Sequence, residues 1–276
     1  METKYSSEDI AAAMSLQIYA HVYTSMATLW VYEYVCSLQE EWTFLLQSRW
    51  TKVKGLYIAT RFLPFLLIIV HLYANFIPNE NPAKCKVLNS ICSVLGQISV
   101  GFSEFFFLLR TYALWRHNRF VHVFILTFTP VAMIACVATA YASIVTASYQ
   151  TSAIPGITGC YSNSNLFVSF LLFFIFELGL MFLTLLHAIQ SWRMTNGRLY
   201  TILMKSNIFY YSCSLLLSAV NVFTSRYLHY QYHVMFQDYQ SIILAILALR
   251  MHLHIWQIDQ QSHNIDAIAW TSLFDV

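Results

Sequence analysis

Seven long apolar stretches recur along the chain, separated by shorter polar gaps, at 12–38, 54–76, 85–115, 120–147, 166–192, 199–224 and 238–256. A helix rising ~1.5 Å per residue needs about 20 apolar residues to cross the hydrocarbon core, and each stretch is of that order. Helix is the open-ended solution available, because lipid offers no partner to an unpaired strand edge. Pro64 and Pro130 fall inside stretches, where they predict kinks rather than helix ends. The expected fold class is an all-α membrane protein: a seven-transmembrane helix bundle forming one membrane domain over 1–276, with 257–276 as a short cytoplasmic tail.

Composition agrees with this pattern. Hydrophobic residues make up 58% of the chain and charged residues 10%, with a mean hydropathy of +0.55. A soluble domain carries about a quarter charged residues, so one water-exposed globule could not hide this much apolar surface. The net charge of +2 gives no reason to expect nucleic acid as a partner. The first ten residues hold Glu2, Glu8 and Asp9 against Lys4, which is not the basic start of a cleavable signal peptide. The first stretch is therefore expected to stay as a span.

The placement of lysine and arginine orients the bundle. Arg49, Lys52, Lys54, Arg61, Arg110, Arg116, Arg119, Arg193, Arg198, Lys205 and Arg250 fall in or beside every second gap. The opposite side has Lys4, Lys84, Lys86 and Arg226, so all fifteen basic residues are assigned. The positive-inside rule then places the amino terminus outside and the carboxyl terminus in the cytoplasm. A multi-pass protein of the plasma membrane is expected, with the lipid bilayer as its first partner.

Four of the six cysteines, Cys36, Cys92, Cys136 and Cys213, fall within stretches and read as small apolar residues. Cys85 opens the third stretch on the outer side, and Cys160 lies in the outer loop 148–165. Both face an oxidising compartment, so a Cys85–Cys160 disulfide is expected to tie that loop over the bundle mouth. Ionisable residues inside a span are costly and usually face the interior with partners. The candidates for such interior positions are Glu33, Arg61, His71, Glu104, Glu177 and His187. Counting from the expected span ends puts Arg61 about 10 Å, Glu33 about 8 Å and Glu104 about 16 Å from the inner side. Arg61 is therefore expected to pair with Glu33, with Glu104 as a competing or additional partner. The pair acts either as structural glue between the first three spans or as a switch that rearranges on ligand binding. Glu177 has no basic partner at its depth, and Glu177 and His71 are candidates for lining a ligand cavity.

The segments Tyr32-Glu33-Tyr34, Leu38-Gln39-Glu40-Glu41-Trp42, Ser48-Arg49-Trp50 and Arg61-Phe62-Leu63-Pro64 follow one another here, and Leu109-Arg110-Thr111-Tyr112-Ala113-Leu114-Trp115 and Leu249-Arg250 come later. Together they resemble a large family of uncharacterised seven-helix integral membrane proteins from mushroom-forming (basidiomycete) fungi, a domain of unknown function. Glu33 stands where that family usually has Asp, Phe62 where it has Tyr, and Gln39 at the first acid of the Leu-x-x-Glu segment. The resemblance implies the fold and a fungal source and carries no established activity.

Three functional classes remain. A receptor-like heptahelical protein would sense a small ligand from the outer side and couple through Arg110, at the inner end of the third span, to a cytoplasmic signalling partner. Against it, the seventh span lacks Asn-Pro-x-x-Tyr and the sixth lacks Trp-x-Pro. A small-solute or lipid transporter would favour repeated halves or broken helices, and no such repeat is evident. An intramembrane enzyme or a structural membrane protein is the third class. No HExxH, GxSxG or P-loop pattern occurs, so no catalytic residues, metal ligands or cofactor are assigned. His229 and His233, at i and i+4, fall among interfacial tyrosines.

Overall fold

A computed structural model describes residues 6–76, 82–115, 118–151, 160–163, 166–192, 198–227 and 230–274. They form seven helices, α1 (Ser7–Gln47), α2 (Lys52–Phe76), α3 (Pro82–Leu114), α4 (Arg119–Thr146), α5 (Phe167–Trp192), α6 (Arg198–Tyr227) and α7 (Tyr230–Phe274). Two short strands, β1 (Ser148–Thr151) and β2 (Cys160–Asn163), pair antiparallel between α4 and α5, with Thr151 opposite Cys160. The fold is therefore helical with one small hairpin, which the expectation of a plain outer loop did not include. Short connectors between packed helices make neighbours antiparallel. The hairpin end of the bundle thus carries the starts of α1, α3, α5 and α7.

Polar residues are buried here beside an apolar core, while many large apolar side chains face outward. Ser99, Ser103, Glu104, Thr111, Glu177, Thr184, Asn207, Ser218 and Asn221 are buried, while Phe62, Leu66, Ile69, Phe124, Val131, Ile134 and Phe182 are exposed. In water that arrangement would leave a large sticky surface; in a bilayer it gives lipid an apolar face and polar groups one another. α4 takes this furthest, with almost all of its apolar window unburied, because it packs mainly on α5 along one edge. α7 is the opposite case and touches α1, α2, α3 and α6. Its Leu244, Ala245 and Ala248 are fully buried, the small side chains letting neighbouring backbones approach closely. Pro64 and Pro130 both lie inside continuous helices.

Six helices, α2 to α7, are long and apolar enough to cross a membrane, and α1 is not among them. Of the seven expected spans, all seven are helices, and six of them meet this measure among the described residues. α1 presents Ile10, Met14, Ile18, Val31, Val35, Leu38 and Trp42 on its exposed face, at the three- and four-residue spacing of one helical side. Its inward face carries Ser15, Ser37 and Glu41, all buried, and these lower the average without removing the lipid-facing stripe. At 41 residues α1 is about 60 Å long, twice the ~30 Å core. The segment 257–274, expected as a tail, continues α7 as helix.

The turn between α1 and α2 is fixed by Lys54. Its Nζ donates to the carbonyls of Leu45 at 2.7 Å and Ser48 at 2.9 Å and lies 4.6 Å from the Trp50 ring centroid. The cation thus satisfies carbonyls at the end of α1 and complements the negative end of its dipole. Lys54 is only 2% exposed, so removing it leaves those carbonyls without a donor in a site water reaches poorly. We expect Lys54→Met to lower the unfolding free energy of the reconstituted protein by about 1–3 kcal/mol. Denaturant titration checks this, and an unchanged midpoint would show that the lysine does not hold the turn.

Candidate functional site

Three polar clusters interrupt the apolar packing, one at each end of the bundle and one in the middle. At the end away from the hairpin, Arg61 of α2 meets Glu41 of α1 at 2.6 Å. The same guanidinium donates to Ser37 Oγ at 2.5 Å and lies 4.8 Å from the Tyr34 ring and 5.4 Å from the Trp30 ring. Ser37 in turn donates to Glu41 Oε1 at 2.6 Å. The expected partner of Arg61, Glu33, instead binds Arg250 of α7, and Glu104 takes no part in either pair. The correction has a geometric cause. α1 runs on to Gln47 instead of ending near residue 38, which brings Glu41 inside the bundle at the depth of Arg61. Counting residues gives depth but not the side of the helix a residue occupies, and Glu33 faces α7.

At the hairpin end, Asp238 of α7 receives a hydrogen bond from Tyr23 of α1 at 2.7 Å. His71 Nε2 of α2 lies 3.2 Å from the same carboxylate oxygen, off the line of a hydrogen bond. The Tyr23 and His71 rings stack with centroids 4.3 Å apart. A cavity of about 30 Å³, room for a water, adjoins His71, Asp238, Asn89 and Gln237. The sequence reading did not find Asp238, because it placed the residue at a span boundary. α7 begins at Tyr230, which puts Asp238 two turns into the helix.

The middle cluster joins α3, α5, α6 and α7. Asn221 donates to Gln240 in a short contact, Gln240 Nε2 donates to Ser218 Oγ at 2.5 Å, and Ser214 hydrogen-bonds Glu177. Glu177 also meets Ser218 and the carboxyl group of Glu104. Both acids are almost fully buried, at 4% and 2% exposure, yet neither Glu104 oxygen has a donor. Glu104 also lines a cavity of about 100 Å³ between α3, α4, α5 and α7. Val100, Met133, Val137, Phe170 and Phe173 make its walls apolar, while Gln97, Gln237 and Gln240 add amides. Leu166 and Gln237 line both this cavity and the one beside His71, so the two adjoin at the hairpin end. On the other side of Glu104, Tyr211 fills the space, donating to the Phe107 carbonyl at 2.5 Å and sharing a 2.8 Å hydrogen bond with Thr111.

The sequence candidates therefore separate. His71 and Glu104 line cavities, whereas Glu177 stands behind Glu104. Arg110 is half-buried near Tyr211 and His252, and its Nε and Nη2 have no hydrogen-bond acceptor. His187 packs edge-on against Trp115, whose indole donates to the Leu183 carbonyl at 3.2 Å. Cys36, Cys92, Cys136 and Cys213 are free, and Cys85, buried at the start of α3, is not one of them. The side chain of Cys160 lies outside the described residues, as do those of His229 and His233.

Residues 11–66 match a family of unknown function (DUF6533). No curated protein matches the chain. The matched segment spans most of α1 and the first part of α2, and so contains Glu33, Ser37, Glu41, Lys54 and Arg61. The chain is thus similar to an uncharacterised family over the segment that builds the Arg61 cluster and the Lys54 turn.

The two ion pairs differ in exposure, which sets their expected worth. The Arg61–Glu41 side chains are 3% and 5% exposed, those of Arg250–Glu33 36% and 16%. Breaking a fully buried pair leaves an uncompensated charge, at about 3–5 kcal/mol, whereas the partly exposed Arg250–Glu33 side chains can turn toward the bundle surface when the pair is lost. Glu41→Gln should therefore destabilise the reconstituted protein several-fold more than Glu33→Gln in chemical unfolding. Equal losses, or a larger one for Glu33→Gln, would contradict the pairing.

Proposed function

We propose that this integral membrane protein is a receptor-like seven-helix bundle, with α1 as its seventh span, that binds a small ligand from the hairpin side. The observation that carries the reading is Glu104, a buried carboxyl without a donor, at one end of an apolar cavity in the hairpin half of the bundle. Ligand sites are mostly apolar concavities with a few convergent polar groups, and this one has that character. The plug of Tyr211, Thr111 and Phe107 favours a site reached from one side over a path through the bundle.

The hairpin side faces outward in this reading, with the amino terminus outside, because the opposite end carries the basic residues Arg49, Lys52, Lys54 and Arg119. The plasma membrane is the expected location and fungi the expected source. A Cys85–Cys160 disulfide would anchor the hairpin beside the cavity. It is supported by Cys85 being absent from the free cysteines and by the contact of β1 with α3. Arg110, at the end of the bundle away from the hairpin, is the residue proposed to couple to a cytoplasmic signalling partner.

Two measurements test this reading. Non-reducing gels of the purified protein should show a mobility shift on reduction that survives Cys92→Ser and disappears in Cys85→Ser; no shift removes the disulfide. A thermal-shift screen of small amphiphiles should find compounds that raise the melting temperature of the protein but not of Val137→Trp, which fills the cavity. Hits that stabilise both equally would place binding elsewhere.

A further inference from the structure

Two buried carboxyl groups in contact, with no base beside them, cannot both be ionised without strong repulsion in a medium of low dielectric. Glu104 and Glu177 are such a pair. Around them, α4 contributes the thiol Cys136, α6 contributes Tyr211, Ser214 and Ser218, and α7 contributes the neutral amides Gln237 and Gln240. No lysine, arginine or histidine among the described residues adjoins either carboxyl. A proton held between the two acids supplies the missing donor and removes that repulsion.

We propose that the cavity takes a small primary ammonium ion with a short apolar body, whose charged head replaces the proton held between Glu104 and Glu177. This rests on the cavity reading above and names the ligand class for it. The exchange balances in charge and atoms: the ammonium enters with its positive charge, one proton leaves to solvent, and no covalent bond to carbon or nitrogen changes. The head then has the Glu104 carboxylate as its acceptor, with the Glu177 charge behind it, and the apolar walls from Val100, Val137 and Phe170 cover the body. Size limits the body. An engineered apolar cavity of ~150 Å³ holds benzene, so a cavity of about 100 Å³ suits a chain of about four carbons. An ammonium matches the site better than a neutral alcohol, because a single hydroxyl satisfies one acceptor and leaves both carboxyl groups sharing their proton.

The test uses butylamine and butanol as probes on the full chain in nanodiscs, read by thermal shift across a pH series. Butylamine should raise the melting temperature at lower concentration than butanol does. Its affinity should rise by about tenfold per pH unit over the range in which the pair holds its proton, because one proton is released per ammonium bound. Proton release into weakly buffered solution on mixing should confirm the exchange. Glu104→Gln should abolish the preference for the amine and the pH slope, while butanol binding persists. Should that variant fold poorly, Glu177→Gln must reduce the pH slope and the amine preference in its place. If butanol stabilises the protein and butylamine does so no better and without pH dependence, the ammonium proposal is overturned while the cavity reading stands. If neither probe binds the wild type and both leave Val137→Trp unaffected, both readings fall.

Discussion

The Arg61–Glu41 ion pair holds together the part of the fold least able to hold itself in lipid. α1 is the helix whose composition falls short of a membrane span, and polar ties fasten it to its neighbours. Arg61 of α2 grips Glu41 and Ser37, Arg250 of α7 grips Glu33, and Asp238 of α7 accepts from Tyr23. These contacts fall at successive levels along one face, so α1 is clamped along much of its length. Lipid supplies no competing hydrogen bonds, so losing one of the buried ties, to Glu41 or to Asp238, would leave a polar group with nowhere to turn. The match to a family of unknown function, over residues 11–66, covers the α1 and α2 residues of this clamp.

The same constraint makes the middle of the bundle informative. Ser218, Gln240 and Asn221 form a chain in which donors and acceptors alternate, and Ser214 donates to Glu177. The alternation ends at Glu104, whose oxygens face a cavity and another acid. Glu104 is set apart from the other buried polar groups by having both carboxyl oxygens without a donor at the wall of a cavity. That contrast, more than the presence of an acid in a helix, separates a ligand anchor from structural glue.

Helix existence was legible in the sequence because apolar run length is a strong and local signal. The ends were less so. Glu40, Glu41 and the polar residues after them look like an exit from the membrane, whereas Ser37 and Glu41 fold inward and α1 continues. That one displacement shifted the depth scale and misassigned the partner of Arg61. Asp238 was missed for the same reason at the start of α7. Glu104 and Glu177 were each found as buried acids, but their meeting depends on the rotation of α3 against α5, which spacing does not encode. The hairpin was invisible because its pairing joins segments on either side of a Gly- and Ser-bearing stretch with no alternating pattern.

The central claim is that the polar interior converges on a proton held between two acids. Infrared spectroscopy of the reconstituted protein measures this directly, through the carbonyl stretch of a protonated carboxylic acid, which an ionised carboxylate lacks. At neutral pH the account predicts a buried carboxylic-acid band in the wild type that is lost or displaced in both Glu104→Gln and Glu177→Gln. A wild-type spectrum with no such band, or one that both substitutions leave unchanged, would contradict it.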